Sequence, residues 1–113
     1  MDTAIVLQVS QGLTIIEEEI NELRRILAKL ARKYRDTPMA GRTHLQQALP
    51  ITFGYKVAIW LAIFDRHAER LEQLKPRVLV GEFAGAAGTL ASLGEKGLEV
   101  QKTFCEELGL GVA

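Results

Sequence analysis

The chain is 113 residues long, 48% hydrophobic, with 14 basic and 14 acidic side chains, two histidines and one cysteine. That length allows one domain at most, the apolar content excludes a disordered polar chain, and zero net charge offers no field to recruit nucleic acid or an anionic membrane surface. Cys105 alone closes no intramolecular disulfide and no Cys or His pair stands at metal-ligand spacing, so no disulfide framework, metal or cofactor is expected, and a reducing compartment, the cytoplasm, fits.

The first element predicted is a long helix over about residues 3–36, which hold no proline and a single glycine, Gly12. Val9, Leu13, Ile16, Ile20, Leu23, Leu27, Leu30 and Tyr34 alternate steps of 4 and 3, the repeat of a helix packed lengthwise on other helices. Asp2 and Thr3 suit its start, and glutamates 17, 18, 19 and 22 precede six basic residues from Arg24 to Arg35, an order that complements the helix dipole. Pro38 sets its end. A helix of that length is about 50 Å long, whereas a compact domain of this size is only about 35 Å across, so the helix must overhang and the chain reads as part of a larger helical assembly.

A second helix is expected from Pro50 to about Lys75, with Phe53, Val57, Trp60, Phe64, Ala68, Leu71 and Leu74 as its inner stripe. Its segment Val57–Phe64 is apolar all round, which demands cover on every side and falls far short of the roughly 20 residues that span a bilayer. His67 reads as a solvated or helix-packing residue and Cys105 as an apolar filler. Arg77–Val80 is a candidate short strand. The run Gly81-Glu82-Phe83-Ala84-Gly85-Ala86-Ala87-Gly88-Thr89 allows close approach of backbone to a helix or to a ligand. Ser92-Leu93-Gly94-Glu95 has the capping-box pattern for a third helix over about 93–108, with Leu93, Gly97, Val100, Phe104 and Leu108 inward and Gly109 as its stop. The fold class expected is therefore all-α, a portion of a long-helix bundle.

The connection from Pro38 to Pro50 concentrates what the helices lack. Arg42 brings a guanidinium, Thr43 a hydroxyl, His44 an imidazole that titrates near neutrality, and Gln46 and Gln47 two amides. Such groups between rigid helices suit carboxylate binding and proton transfer. Spacing alone leaves a second reading open, in which Arg42 and His44 only satisfy helix-end carbonyls.

Gly41-Arg42-Thr43-His44-Leu45-Gln46, then Ala48-x-Pro50-x-Thr52-x-Gly54, resembles the second conserved region of the fumarase/aspartase superfamily, and Gly85-Ala86-Ala87-Gly88-Thr89 stands at the matching distance downstream. Asp2-Thr3-Ala4 resembles the tail of its first region. The wording from Asp36 to Thr43, the Gln46–Pro50 run and Arg77-Val78-Leu79-Val80 most resemble bacterial 3-carboxy-cis,cis-muconate cycloisomerases, with adenylosuccinate lyases as near neighbours. The resemblance implies the first portion of a central helical domain that assembles a homotetramer. It implies a small polycarboxylate substrate, and making or breaking a C–O or C–N bond beta to a carboxylate through an aci-carboxylate carbanion. It implies that Thr43 binds or orients a substrate carboxylate and that His44 is the general acid toward a leaving group, with Arg42, Gln46 and Thr89 as further candidates for substrate contact. The mobile loop with the superfamily's catalytic serine, Gly-Ser-Ser-x-Met-Pro, is absent from these residues, so the 113 residues alone are expected to be inactive. Many cycloisomerases of the pattern carry tryptophan where His44 stands, and the lyases keep histidine.

Overall fold

A computed structural model describes all of residues 1–113, and the chain is predominantly helical, as the heptad spacing predicts. Helix α1 (Asp2–Lys33) is followed by strands β1 (Pro38–Thr43) and β2 (Gln46–Thr52), helix α2 (Phe53–Val78) and strand β3 (Val80–Gly81). A short 3-10 helix (Ala91–Lys96), helix α3 (Gly97–Glu107) and strand β4 (Gly111–Val112) complete the chain. No helix is long and apolar enough to cross a membrane. The chain divides into two compact units, residues 16–70 and residues 1–15 with 71–113.

In the unit of residues 16–70, α2 runs back antiparallel along α1. Leu27 and Val57 are its buried core, Val57 at 1% exposure, and the rings of Tyr34 and Phe53 meet edge to face at 5.3 Å. Gly54 is there because nothing larger fits: a β-carbon on it would lie 2.6 Å from the carbonyl oxygen of Ala31 and 2.6 Å from Cα of Arg35. Arg24 Nε donates to Asp65 Oδ1 at 2.6 Å across the same pair of helices, a solvent-exposed bridge of small worth.

The first helix ends at Lys33 rather than near residue 36, because the next peptides serve the hairpin. Tyr34 and Thr37 carbonyls accept from Gly54 N (2.9 Å) and Phe53 N (2.8 Å), so the chain leaves the helix to meet the start of α2. The second helix begins at Phe53, not Pro50, and Pro50 lies in β2. Thr52 supplies the cap, its Oγ1 accepting from Tyr55 N at 3.1 Å. This helix also runs past Pro76 to Val78. The proline sits in the last turn, where Arg77 Nε donates to the Gln73 carbonyl at 3.2 Å and Leu79 N to the Lys75 carbonyl at 2.8 Å.

In the other unit, the strand expected over Arg77–Val80 is reduced to Val80–Gly81, which pairs in parallel with Gly111–Val112. The capping box does not form: Gly94 sits at φ 55°, ψ −138°, inside the turn that the box requires to be helical, and no side chain caps either helix start. Instead α3 starts at Gly97, where a β-carbon would meet Leu90 Cβ at 2.8 Å, so contact with Leu90 fixes the start. The stop at Gly109 holds. With φ at 65°, Gly109 N bonds to the Glu106 carbonyl (3.1 Å) and Leu110 N to the Cys105 carbonyl (2.9 Å), a Schellman motif that buries Leu110. Cys105 is 0% exposed and acts as the expected filler.

The heptad stripe of α1 splits between two faces. Leu13 and Leu27 are buried, whereas Val9, Ile16 and Leu23 are exposed together with Ile5 and Ile26. On α2 the all-round apolar segment likewise leaves Ile59, Trp60 and Ile63 exposed. His67 is exposed, with Arg70 Nη2 donating to its Nδ1 at 3.0 Å.

Candidate active site

The connection expected to be a loop is a β-hairpin. Pro38 pairs with Thr52, Met39 with Ile51 and Ala40 with Pro50, then the register slips by one, so that Arg42 pairs with Gln47 and Thr43 with Gln46. Gly41 thus faces two residues of β2, Ala48 and Leu49, in a bulge. Glycine is required there, since a β-carbon would lie 2.5 Å from the Leu49 carbonyl oxygen.

Alternation along a ribbon then sorts the candidates. Thr43 and Gln46 are directly opposite each other and share one face, with β-carbons about 4.5–5.5 Å apart for such a pair. Arg42 lies on the other face with Gln47. The hydroxyl and the amide therefore stand on one face of the ribbon, and the guanidinium stands on the other.

Between Thr43 and Gln46 the turn has two residues, His44 at φ 42° and Leu45 at φ 62°. Positive φ at both positions is the type I′ turn that matches strand twist, normally built from Asn and Gly. A β-carbon in this region costs on the order of 1–2 kcal/mol per residue. Leu45 moreover projects fully into solvent. Strain of this kind persists where the surroundings over-determine it, and it holds the exposed imidazole of His44 at the apex beside Thr43.

Thr89 belongs to the other unit, in an exposed loop closed by Leu90 N donating to the Ala84 carbonyl at 2.9 Å, with Gly85 at φ 77° and Gly88 at φ 76°. Glu82, at the root of this loop, has its carboxyl held above the usual range through a hydrogen bond with Asp2 and repulsion from its charge. The hairpin therefore carries a hydroxyl and an amide on one face of the ribbon, at Thr43 and Gln46, and an exposed imidazole at its apex, at His44. No cluster of three or more potential metal-ligating side chains is present.

The chain belongs to the lyase family, whose pattern matches residues 1–113 throughout. This is the fumarase/aspartase superfamily indicated by the paired motifs. The chain is 52% identical over 110 residues to the adenylosuccinate lyase of Pyrococcus abyssi, covering 97% of this chain and 24% of that protein. It is 65% identical to a fumarate lyase from Mesorhizobium sp. BNC1 of known structure, with a TM-score of 0.95 over 99% of this chain and 26% of that one. It is 44% identical to the 3-carboxy-cis,cis-muconate lactonizing enzyme of Pseudomonas putida, with a TM-score of 0.96 over 100% of this chain and 25% of that one. The chain thus spans about a quarter of the length of these relatives.

Proposed function

We propose that the full-length protein containing this chain catalyses reversible addition–elimination at the carbon beta to a carboxylate of a small polycarboxylate, in the cytoplasm. The observation that carries this reading is the strained turn that holds His44 at its apex, next to the Thr43–Gln46 pair. Thr43 and Gln46 donate to the substrate carboxylate, which takes up charge as the carbanion forms, and donors placed at developing charge lower the barrier. A base outside these 113 residues removes the alpha proton. As the bond to the beta heteroatom breaks, His44 gives that atom its proton, leaving an alkene dicarboxylate and a neutral amine.

An amine-releasing lyase of the adenylosuccinate type is the form of this reaction that uses an imidazole at the apex. The motif wording and the whole-chain likeness to the Pseudomonas putida enzyme favour a second form, lactonisation of 3-carboxy-cis,cis-muconate, in which a substrate carboxylate is the nucleophile. The exposed apolar residues of α1, Ile5, Val9, Ile16, Leu23 and Ile26, support assembly into a homo-oligomer, a tetramer, that covers them.

Assaying the purified full-length protein with adenylosuccinate and with 3-carboxy-cis,cis-muconate, each followed by the change in alkene absorbance, tests the proposal. Release of fumarate is the expected result, and lactone formation alone selects the second form. Turnover of neither substrate, or of no succinyl or muconate compound in a wider panel, contradicts it. The 113 residues by themselves are expected to turn over neither.

A further inference from the structure

The loop of residues 84–90 is held by its ends. Its middle, Gly85 to Thr89, is exposed and has one internal backbone bond, Gly88 N to the Gly85 carbonyl at 3.5 Å. At the far end Leu90 closes on Ala84 and packs on Gly97. The near end is the stem Gly81–Ala84, which has left the β3–β4 pairing after Gly81. Without a strand beside it, the Glu82 peptide needs other partners for both its N–H and its C=O.

One side chain provides both. Thr3 Oγ1 accepts from Glu82 N at 3.0 Å and donates to the Glu82 carbonyl at 2.8 Å, and Thr3, at 9% exposure, is the one buried polar side chain of the chain. The neighbouring stem residues are held from α3: Cys105 Sγ donates to the Gly81 carbonyl at 3.6 Å, and Phe83 lies on the Phe104 ring at 5.1 Å. Removing the hydroxyl leaves two backbone groups unpaired, whereas serine keeps both bonds.

We propose that Thr3 is a positioning residue for the 84–90 loop: by bonding both polar groups of the Glu82 peptide it sets the stem of the loop that carries Thr89, a candidate substrate contact. That Thr89 touches substrate is what the family resemblance implies and rests on the function proposed above, but the anchoring by Thr3 does not.

The test uses the full-length protein. Hydrogen exchange of the unmutated protein should show the Glu82 amide protected at least tenfold over the amides of residues 85–89, and no protection there overturns the proposal without any variant. In Thr3→Val, exchange at Glu82 and Leu90 should quicken about tenfold, the loss expected when buried groups are left unpaired. KM for the substrate should rise about tenfold with kcat changed less than threefold, and Thr3→Ser should restore both readouts. Unchanged exchange in Thr3→Val overturns the anchoring role. Faster exchange with unchanged KM upholds the anchor and refutes the role of Thr89 in substrate binding.

Discussion

Replacing His44 with tryptophan in the full-length protein is expected to lower kcat on an amine-releasing substrate by on the order of 10²-fold or more, with the oligomer intact. The reason lies at the turn. His44 is exposed and held at φ 42°, so its exchange disturbs no packed core, and an indole N–H is no proton donor to a leaving amine. Kinetics together with sedimentation check it: a fall in kcat with unchanged mass is the predicted signature. Activity within about tenfold of the parent on a muconate selects lactonisation, because an ionised substrate carboxylate needs no proton from this position.

Gly54→Ala should cost more stability than any conservative change on the exposed faces. Its new methyl would meet the Ala31 carbonyl oxygen at 2.6 Å and Arg35 N at 2.7 Å, all backbone, which cannot swing aside as a side chain does. The start of α2 must therefore move off the end of α1. That movement stretches Gly54 N to Tyr34 O and Phe53 N to Thr37 O, the bonds at the base of the hairpin. Overpacking costs about 1–3 kcal/mol and each strained hydrogen bond about 0.5–1.5 kcal/mol. A denaturant midpoint unchanged within error in Gly54→Ala would show that the two helices part at no cost.

What sequence conveyed and what it hid follow from the range of the interactions. The heptads of α1 and the apolar segment of α2 were legible because periodicity is a local property. Which heptad positions face inward was not, since Leu13 and Leu27 are buried and Val9 and Ile16 exposed by partners that spacing does not name. The hairpin was hidden for a chemical reason: its turn is His44-Leu45, without the Asn or Gly that normally marks a two-residue connection. The misplaced start of α2 has the same origin, because Pro50 suits a first helical turn as well as it suits a strand beside a bulge. Gly41 was visible only as part of a motif, and its role emerges once the register slip sets it against Ala48 and Leu49. Separation of Arg42 from Thr43 and Gln46 depends on that same register. The capping box failed because Gly94 adopts a conformation that a pattern of four residue names does not encode.

The central claim, that the apex of the hairpin carries the reacting proton, is tested most directly by a crystal structure of the full-length protein with a non-reacting substrate analogue. A ring nitrogen of His44 should lie about 2.6–3.2 Å from the beta heteroatom, or reach it through one water, with Thr43 Oγ1 on the adjacent carboxylate. An analogue bound with the His44 ring beyond reach of that atom and of any bridging water would contradict it.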